Sequence, residues 1–192
     1  QRPFRESSQI LSLFTEREGR IDVTVRASRA LKTKTMAKPL PFARLQVAWE
    51  GRGQLPYLAH CEESERVTLT GSRLYCGMYL NELLYHLLPK HIAEGGLFSH
   101  YWQSLTQLQV DSCDVESCLR RFEWQLLACL GYGLSLSHDA NGRVLQPEMM
   151  YSYLPDIGLV IGGHGAVTGS GAGFLSLADG KFNRAVSDML LA

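Results

Sequence analysis

The densest group of cations in this 192-residue chain lies between residues 26 and 38, where five Lys and Arg side chains occur among Ser28, Thr33 and Thr35. Two further arginines follow at 44 and 52. Cations mixed with hydroxyl groups are the side chains that hold nucleic-acid phosphates. The pattern therefore predicts a DNA-binding surface made of Arg26, Arg29, Lys32, Lys34, Lys38, Arg44 and Arg52.

The charge distribution along the chain is consistent with such a surface. Nineteen basic groups balance nineteen acidic groups overall, but residues 1–60 hold eleven basic and five acidic groups. The first third therefore carries six net positive charges, and residues 61–192 carry six net negative charges. This asymmetry favours a nucleic-acid-facing N-terminal part. Chance clustering is the alternative, because a basic face is only an electrostatic footprint.

Other candidate sites lack the spacing that their chemistry requires. The glycine-rich segment 158–173 contains neither G-x-G-x-x-G nor a Gly-Lys-Ser/Thr triplet. Ser170 lies in Gly-Ser-Gly rather than in a G-x-S-x-G nucleophile elbow. The six histidines and five cysteines form neither H-E-x-x-H nor C-x-x-C. We therefore expect no enzyme activity, no cofactor and no metal site; a nucleotide-dependent enzyme is the weakest alternative.

Composition places the chain among ordinary globular proteins, with 45% hydrophobic and 20% charged residues. Its apolar runs are shorter than the ~18 residues that a membrane span needs. The sequence does not open on a basic and then apolar leader. Five scattered cysteines fit a reducing compartment better than a disulfide framework. We expect a cytoplasmic protein without membrane contact.

The first third has the pattern of a small β-barrel. Apolar stretches or alternating residues predict four strands, separated by turn signals and by a polar, basic loop over residues 27–39. These strands cover residues 9–14, 21–26, 45–49 and 55–59. Small barrels bind single strands by stacking bases on aromatic rings. Phe42, Trp49 and Tyr57 are candidates for stacking, although each is more consistent with a core position.

Helical spacing replaces alternation near residue 70. Three consecutive helices are predicted to form a bundle-like core; the third begins after a cap at Asp114 and ends at Gly131. They cover residues 72–88, 97–108 and 115–130. Residues 157–161 are consistent with a strand, 162–173 with a loose glycine-rich connection, and 181–191 with a last helix.

Several segments, taken in order, resemble the RecO family of bacterial recombination mediators. Their order and spacing match across about residues 2–133. The segments are Arg-Pro-Phe-Arg-Glu-Ser-Ser (2–8), Leu-Phe-Thr-Glu-Arg-Glu-Gly-Arg (13–20), Val-Arg-Ala-Ser-Arg (25–29), Pro-Leu-Pro-Phe (39–42), Trp-Glu-Gly-Arg-Gly (49–53), Tyr-Leu-Asn-Glu-Leu-Leu (79–84), Leu-Arg-Arg-Phe-Glu (119–123) and Leu-Gly-Tyr-Gly (130–133).

The resemblance implies an α+β protein with an N-terminal OB-fold barrel and a mainly α-helical C-terminal domain. We place the barrel in residues 1–65 and the helical domain in residues 66–192, with an irregular glycine-rich segment near 158–173. The implied function is non-enzymatic DNA repair in the cytoplasm, in association with the nucleoid. The implied partners are single- and double-stranded DNA, RecR, RecA and the C-terminal tail of the single-stranded DNA-binding protein SSB.

Two departures from the family pattern lead to further expectations. Family members usually have a first barrel strand before the Arg-Pro segment and continue past this C-terminus, so we expect a partial chain whose first strand is missing. Many members also carry a four-cysteine zinc site after the Leu-Gly-Tyr segment. No cysteine follows Cys129 here, which is consistent with a zinc-free branch.

The matching Leu-Arg-Arg-Phe segment implies that Arg120, and secondarily Arg121, contacts the SSB tail. That tail ends in acidic residues and an apolar residue with a free carboxylate, which an arginine can bind in a bidentate manner. The alternative is a structural ion pair with Glu116 or Glu123, one helical turn away. A broader alternative is a protein-interaction scaffold of the same pathway with incidental DNA affinity.

Overall fold

The computed structural model describes residues 2–4, 8–26, 39–51, 53, 55–162, 165 and 167–182. The chain divides into two compact units, residues 1–111 and 112–192. Within the described ranges, no helix is long and apolar enough to cross a membrane. The predicted domain boundary between residues 65 and 66 stays a prediction; the first compact unit also includes two helices beyond it.

A five-stranded sheet forms the N-terminal part of the first unit. Its order is β1-β2-β3-β5-β4, with β3 and β5 parallel and the other neighbours antiparallel. The strands are β1 (Arg2–Phe4), β2 (Ser8–Thr15), β3 (Gly19–Arg26), β4 (Ala43–Glu50) and β5 (Tyr57–Arg66). This sheet followed by helices confirms the predicted α+β class with an OB-type barrel. β1 is formed by the Arg-Pro-Phe segment itself, and the expectation that a strand before this segment is missing stays a prediction.

Alternation in the sequence corresponds to burial most closely in β4, whose eight residues alternate between half-buried and exposed. In β3 the pattern differs from that of a half-buried strand. Ile21, Val23 and Val25 are buried as expected, but Asp22 on the opposite face is also buried. Lys90, which lies far along the chain from β3, donates from Nζ to this carboxylate at 2.6 Å. Both faces of β3 are therefore covered.

Two helices complete the first unit, α1 (Gly71–Leu87) and α2 (Leu97–Leu108), both close to their predicted bounds. A Cβ atom on Gly77 of α1 would lie 2.9 Å from Cζ of the buried Phe42 ring, so the helix approaches the barrel at a residue without a side chain. The hydroxyl of Tyr101 donates to Oδ1 of Asn81 at 2.5 Å and links α2 to α1. Burial raises the pKa of this hydroxyl.

The second unit combines helices with a small sheet. Helix α3 (Val115–Leu127) continues into a π-helical turn over Ala128–Tyr132, and α4 covers Gly171–Ala178. Between them, β6 (Met150–Leu154) pairs antiparallel with β7 (Gly158–Ile161) on one side and β8 (Val167–Ser170) on the other. The core of this unit contains Leu136, Leu145, Tyr151, Leu159, Phe174, Leu177 and Phe182, with Trp124 packed against it.

The structure differs from the sequence prediction in the glycine-rich segment. β7 agrees with the strand expected over residues 157–161, whereas the loose connection expected over 162–173 contains β8 and the start of α4. A Cβ atom on Gly171 would lie 2.1 Å from the carbonyl oxygen of Gln146, so this glycine permits a close approach of two backbones. The expected three-helix bundle is also divided, since α3 belongs to the second compact unit. Most of the predicted helix 181–191 lies outside the described residues.

Candidate nucleic-acid and partner interfaces

Most of the predicted phosphate contacts fall outside the described residues. Arg29, Lys32, Lys34, Lys38 and Arg52 are in this group, and for Arg26 only the backbone, at the end of β3, is described. Their DNA-binding role stays a prediction. The two ends of the cationic segment are nevertheless fixed by described residues. β3 ends at Arg26, and the chain returns through Phe42, which is buried and accepts a hydrogen bond from Val67 N at 3.0 Å.

Arg44 is the predicted DNA contact whose side chain the structure describes. It is exposed on β4, and its guanidinium carbon lies 5.7 Å from the ring centroid of Phe98 and 5.9 Å from that of Trp102, both on α2. Glu65 is its register partner on β5. Arg44 forms no ion pair with any residue that the structure describes. Its cation instead interacts with two aromatic rings.

The three aromatic residues proposed for base stacking have different environments. Phe42 is buried beneath α1, and Trp49 packs against the barrel core. Tyr57 is 39% exposed, and its hydroxyl donates to Oε2 of Glu50 at 2.6 Å. Of the three, Phe42 is therefore excluded as a stacking surface in this conformation. The rings beside Arg44 lie on the helix predicted over residues 97–108, and the sequence did not predict their contact with β4.

A buried polar cluster holds the connection between α1 and α2 against the barrel. Asp22 is only 1% exposed, and it accepts hydrogen bonds from Lys90 Nζ and Ser12 Oγ, each at 2.6 Å. Burial raises the pKa of Asp22. The hydrogen bonds from Lys90 and Ser12 and the charges of Lys90 and Arg20 outweigh that effect, so the pKa lies below its ordinary value. The sequence did not identify this cluster.

Arg20 forms a second link between β3 and the end of α1. Its Nε donates to the carbonyl oxygen of Leu88 at 3.1 Å, and its guanidinium carbon lies 5.1 Å from the ring centroid of Tyr85. The backbone carbonyl of Arg20 also accepts from His91 N at 3.0 Å. Together with the Asp22 cluster, these contacts fix the helices relative to the strands on which the candidate DNA contacts lie.

The second unit contains the predicted partner contacts on α3. Asp114 caps this helix as predicted: it accepts from Ser117 Oγ at 2.6 Å, and this bond lowers the pKa of Asp114 against the opposing effect of burial. Arg120 forms an ion pair with Glu123, one turn further on, with 38% of the Arg120 side chain exposed. This is the pair that the structural alternative predicts. Arg121 is half-buried.

Exposed apolar residues follow Arg120 along the chain. Leu127 lies two helical turns further along the same face of α3 and is 42% exposed, and Tyr132 in the π-helical turn is 71% exposed. Leu134, just beyond this turn, is 39% exposed. A ligand with a carboxylate next to an apolar side chain needs a cation beside apolar surface. Arg120 and Leu127 provide these two groups. Among the described residues, no three His, Cys, Asp or Glu side chains are placed to hold a metal ion.

Comparison with known proteins covers nearly all of the chain. The family model described as "Recombination protein O N terminal" matches residues 1–65, and the model described as "Recombination protein O C terminal" matches residues 69–179. A protein of Methylococcus capsulatus named DNA repair protein RecO is 42% identical over 185 residues, which are 95% of this chain and 76% of that protein.

Two further relatives with the same name show similar identity. The protein of Pseudomonas paraeruginosa is 39% identical over 159 residues, 82% of this chain and 66% of that protein. The protein of Erwinia tasmaniensis is 38% identical over 173 residues, 88% of this chain and 71% of that protein. The chain thus spans about two thirds to three quarters of the length of these relatives.

Proposed function

The chain belongs to the recombination protein O (RecO) family, and on that premise we propose that it is a non-enzymatic recombination mediator in DNA repair. It binds single- and double-stranded DNA, anneals complementary strands and, with RecR, helps to load RecA onto single-stranded DNA coated by SSB. The DNA repair role is supported by the relatives, each of which is named a DNA repair protein.

The observation that carries this proposal is the attachment of a cationic segment to an OB-type barrel. Five cations lie between the end of β3 and the anchored Phe42, within a stretch of 60 residues that has six net positive charges. Cations that neutralise the phosphates of two strands lower the repulsion between these strands. Annealing therefore follows from the charge of this segment, without a catalytic group.

The partner contact is proposed for the second unit. Arg120 pairs with Glu123 at the surface, where solvent screening makes an ion pair weak. The terminal carboxylate of an SSB tail replaces Glu123 as its partner, and the apolar side chain of the tail contacts Leu127. DNA and SSB are thereby bound by residues of different units.

Annealing of complementary oligonucleotides, bare or coated with SSB, tests both parts of the proposal. We expect the triple variant R29A/K32A/K34A to lose annealing on bare strands. We expect Arg120→Ala to fail only when SSB is present. Matched controls are Arg17→Ala, an exposed arginine in the turn between β2 and β3, and Arg143→Ala, an exposed arginine of the second unit. Both controls should anneal as the unchanged chain does.

The salt dependence of DNA affinity separates the mediator from the scaffold alternative. Each phosphate contact with a single strand contributes a slope of about −0.7 in log affinity against log salt. The mediator proposal predicts a steep slope, reduced by about two in the triple variant. A shallow slope in the unchanged chain, with annealing insensitive to the triple change, would support a scaffold with incidental DNA affinity.

A further inference from the structure

We propose that Arg44, Phe98 and Trp102 form a stacking site for unpaired bases of single-stranded DNA. This inference rests on the proposed function, and it assigns base contacts to residues other than the stacking candidates Phe42, Trp49 and Tyr57. Phe98 and Trp102 are one turn apart on α2, so their rings share one face of the helix. Both residues are half-buried, so each retains part of its surface in solvent.

The packing behind the rings gives the site a fixed framework. The Phe14 ring on β2 lies 5.6 Å from Phe98 and 5.8 Å from Tyr101, measured between ring centroids. The hydroxyl of Tyr101 is bound to Asn81, so Tyr101 has a structural role. Phe98 is therefore held against the barrel before any ligand binds, which lowers the entropic cost of binding.

Arg44 supplies the cation of the site. Its guanidinium carbon lies within 6 Å of both ring centroids, and its register partner on β5 is Glu65. Among the described residues its charge is not neutralised by an ion pair. A planar guanidinium beside aromatic rings can stack on a base and attract the adjoining phosphate. The combination fits a nucleotide better than a purely apolar ligand.

Single strands are the ligand that the surroundings favour. The cationic segment ends at Lys38, and the chain continues through Pro39 to Arg44, a separation of six residues that spans at most about 21 Å. Phosphates of a strand held by this segment therefore bring neighbouring bases within reach of the rings. The bases of a duplex are already stacked on each other and cannot use such a surface.

Tryptophan fluorescence of the full chain, titrated with an oligo-dT strand, tests the site directly. The chain has three tryptophans: Trp102 at the proposed site, Trp49 against the barrel core and Trp124 against the core of the second unit. We expect oligo-dT to quench the unchanged chain. Trp102→Phe should remove this quenching and keep affinity within about threefold. Trp124→Phe, the matched control, should keep the quenching.

Affinity measurements give the second readout. Trp102→Leu should weaken oligo-dT binding by roughly 5- to 100-fold without changing the salt slope, because no charge is removed. Arg44→Ala should weaken binding and also reduce the slope by about 0.7. Binding of duplex DNA should be unchanged in Trp102→Leu. Circular dichroism establishes whether each variant is folded. If Trp102→Leu is not folded, the quenching measured in Trp102→Phe tests the stacking site instead.

The failures of the two proposals are distinguishable. Normal oligo-dT affinity in folded Trp102→Leu, or quenching that persists in Trp102→Phe, overturns the stacking site but leaves the mediator function intact if annealing persists. An equal loss of single-strand and duplex binding in Trp102→Leu also overturns it, because such a loss indicates a structural role. If the unchanged chain neither binds nor anneals DNA, the proposed function fails and the stacking site fails with it.

Discussion

In residues 1–111 the ion pair between Asp22 and Lys90 is buried at its carboxylate, whereas in the second unit the pair between Arg120 and Glu123 lies at the surface. The Asp22 side chain is 1% exposed, but 38% of the Arg120 side chain and 20% of the Glu123 side chain are exposed. A buried carboxylate depends on its partner, since no water can replace that partner. A surface pair can exchange one partner for a ligand at little cost.

The two units also differ in where a glycine permits close contact. A Cβ atom on Gly77 in the first unit would meet side-chain atoms of Leu69 and Phe42, at 2.5 Å and 2.9 Å. A Cβ atom on Gly171 in the second unit would meet the backbone carbonyl oxygen of Gln146 at 2.1 Å. Side chains can change rotamer, but the Gln146 backbone cannot move easily, because its carbonyl accepts from Met149 N at 3.1 Å and its N–H donates to the Tyr151 hydroxyl at 3.0 Å. The second unit should therefore be less tolerant of an added methyl group.

Replacement of these glycines by alanine should give the largest effects. We expect Gly171→Ala to lower the free energy of unfolding by about 3 kcal/mol, since the new methyl group displaces the Gln146 backbone. Gly77→Ala should cost only about 1 kcal/mol, because alanine's higher helix propensity offsets part of the overpacking. Urea denaturation of both variants measures the difference. Equal losses would contradict the distinction between side-chain and backbone contacts.

Removal of the Lys90 cation tests whether the buried carboxylate of Asp22 depends on its partner. Lys90→Met retains the aliphatic stem but removes the charge and the hydrogen bond that Lys90 gives to Asp22. We expect a loss of about 2 kcal/mol, below the usual cost of breaking a buried pair, because Lys90 itself is 46% exposed. Lys181→Met is the matched control, since its pair with Asp179 is exposed on both sides. A loss in the control as large as that in Lys90→Met would show that burial of the carboxylate is not the cause.

The dependence of stability on pH should reflect the protonation of Asp22. Its pKa in the folded chain lies below the unfolded value of about 3.9, so the unfolded chain takes up this proton first as the pH falls. The stabilisation is complete above about pH 4 and is lost as the pH falls through the folded pKa. Asp22→Asn should therefore be less stable than the unchanged chain at pH 6, with the difference shrinking below pH 4. A difference that stays constant from pH 6 to pH 3 would refute this assignment.

Local patterns in the sequence predicted most elements of the fold. The alternation in β3 and β4 and the cap at Asp114 are signals within one element, and the structure contains each element at about the predicted position. The burial of Asp22 could not be predicted, because it depends on Lys90, which approaches from a distant part of the chain. The glycines of 162–173 predicted a loose connection, because the contact that Gly171 permits is with Gln146, outside the segment.

The candidate sites likewise combine contacts between residues close in the sequence, which could be predicted, with contacts between distant residues, which could not. The pair of Arg120 with Glu123 was predicted as an alternative, because the two residues are one helical turn apart. The contact of Arg44 with Phe98 and Trp102 joins a barrel strand to a helix, so no spacing along the chain reveals it. The cationic segment was evident from composition alone, and its role in DNA binding stays a prediction.

The smallest change in stability should come from Arg120, together with a large change in binding. We expect Arg120→Ala to alter the free energy of unfolding by less than about 0.5 kcal/mol, because the pair with Glu123 is screened by solvent. Binding of an acidic peptide that ends in an apolar residue with a free carboxylate should fall by roughly tenfold or more. Fluorescence anisotropy of the labelled peptide measures this loss, with Arg143→Ala as the control.

An amidated peptide shows whether Arg120 contacts the terminal carboxylate itself. Amidation should weaken binding to the unchanged chain but cause little further loss in Arg120→Ala, since the interacting pair is already broken. Glu123→Gln should act in the opposite direction and strengthen binding, because the competing carboxylate is removed. If amidation weakens binding equally in both proteins, Arg120 does not contact the terminal carboxylate. If Arg120→Ala unfolds the second unit, Arg120 stabilises the fold as Lys90 does. The difference between the two ion pairs would then reflect exposure alone rather than function.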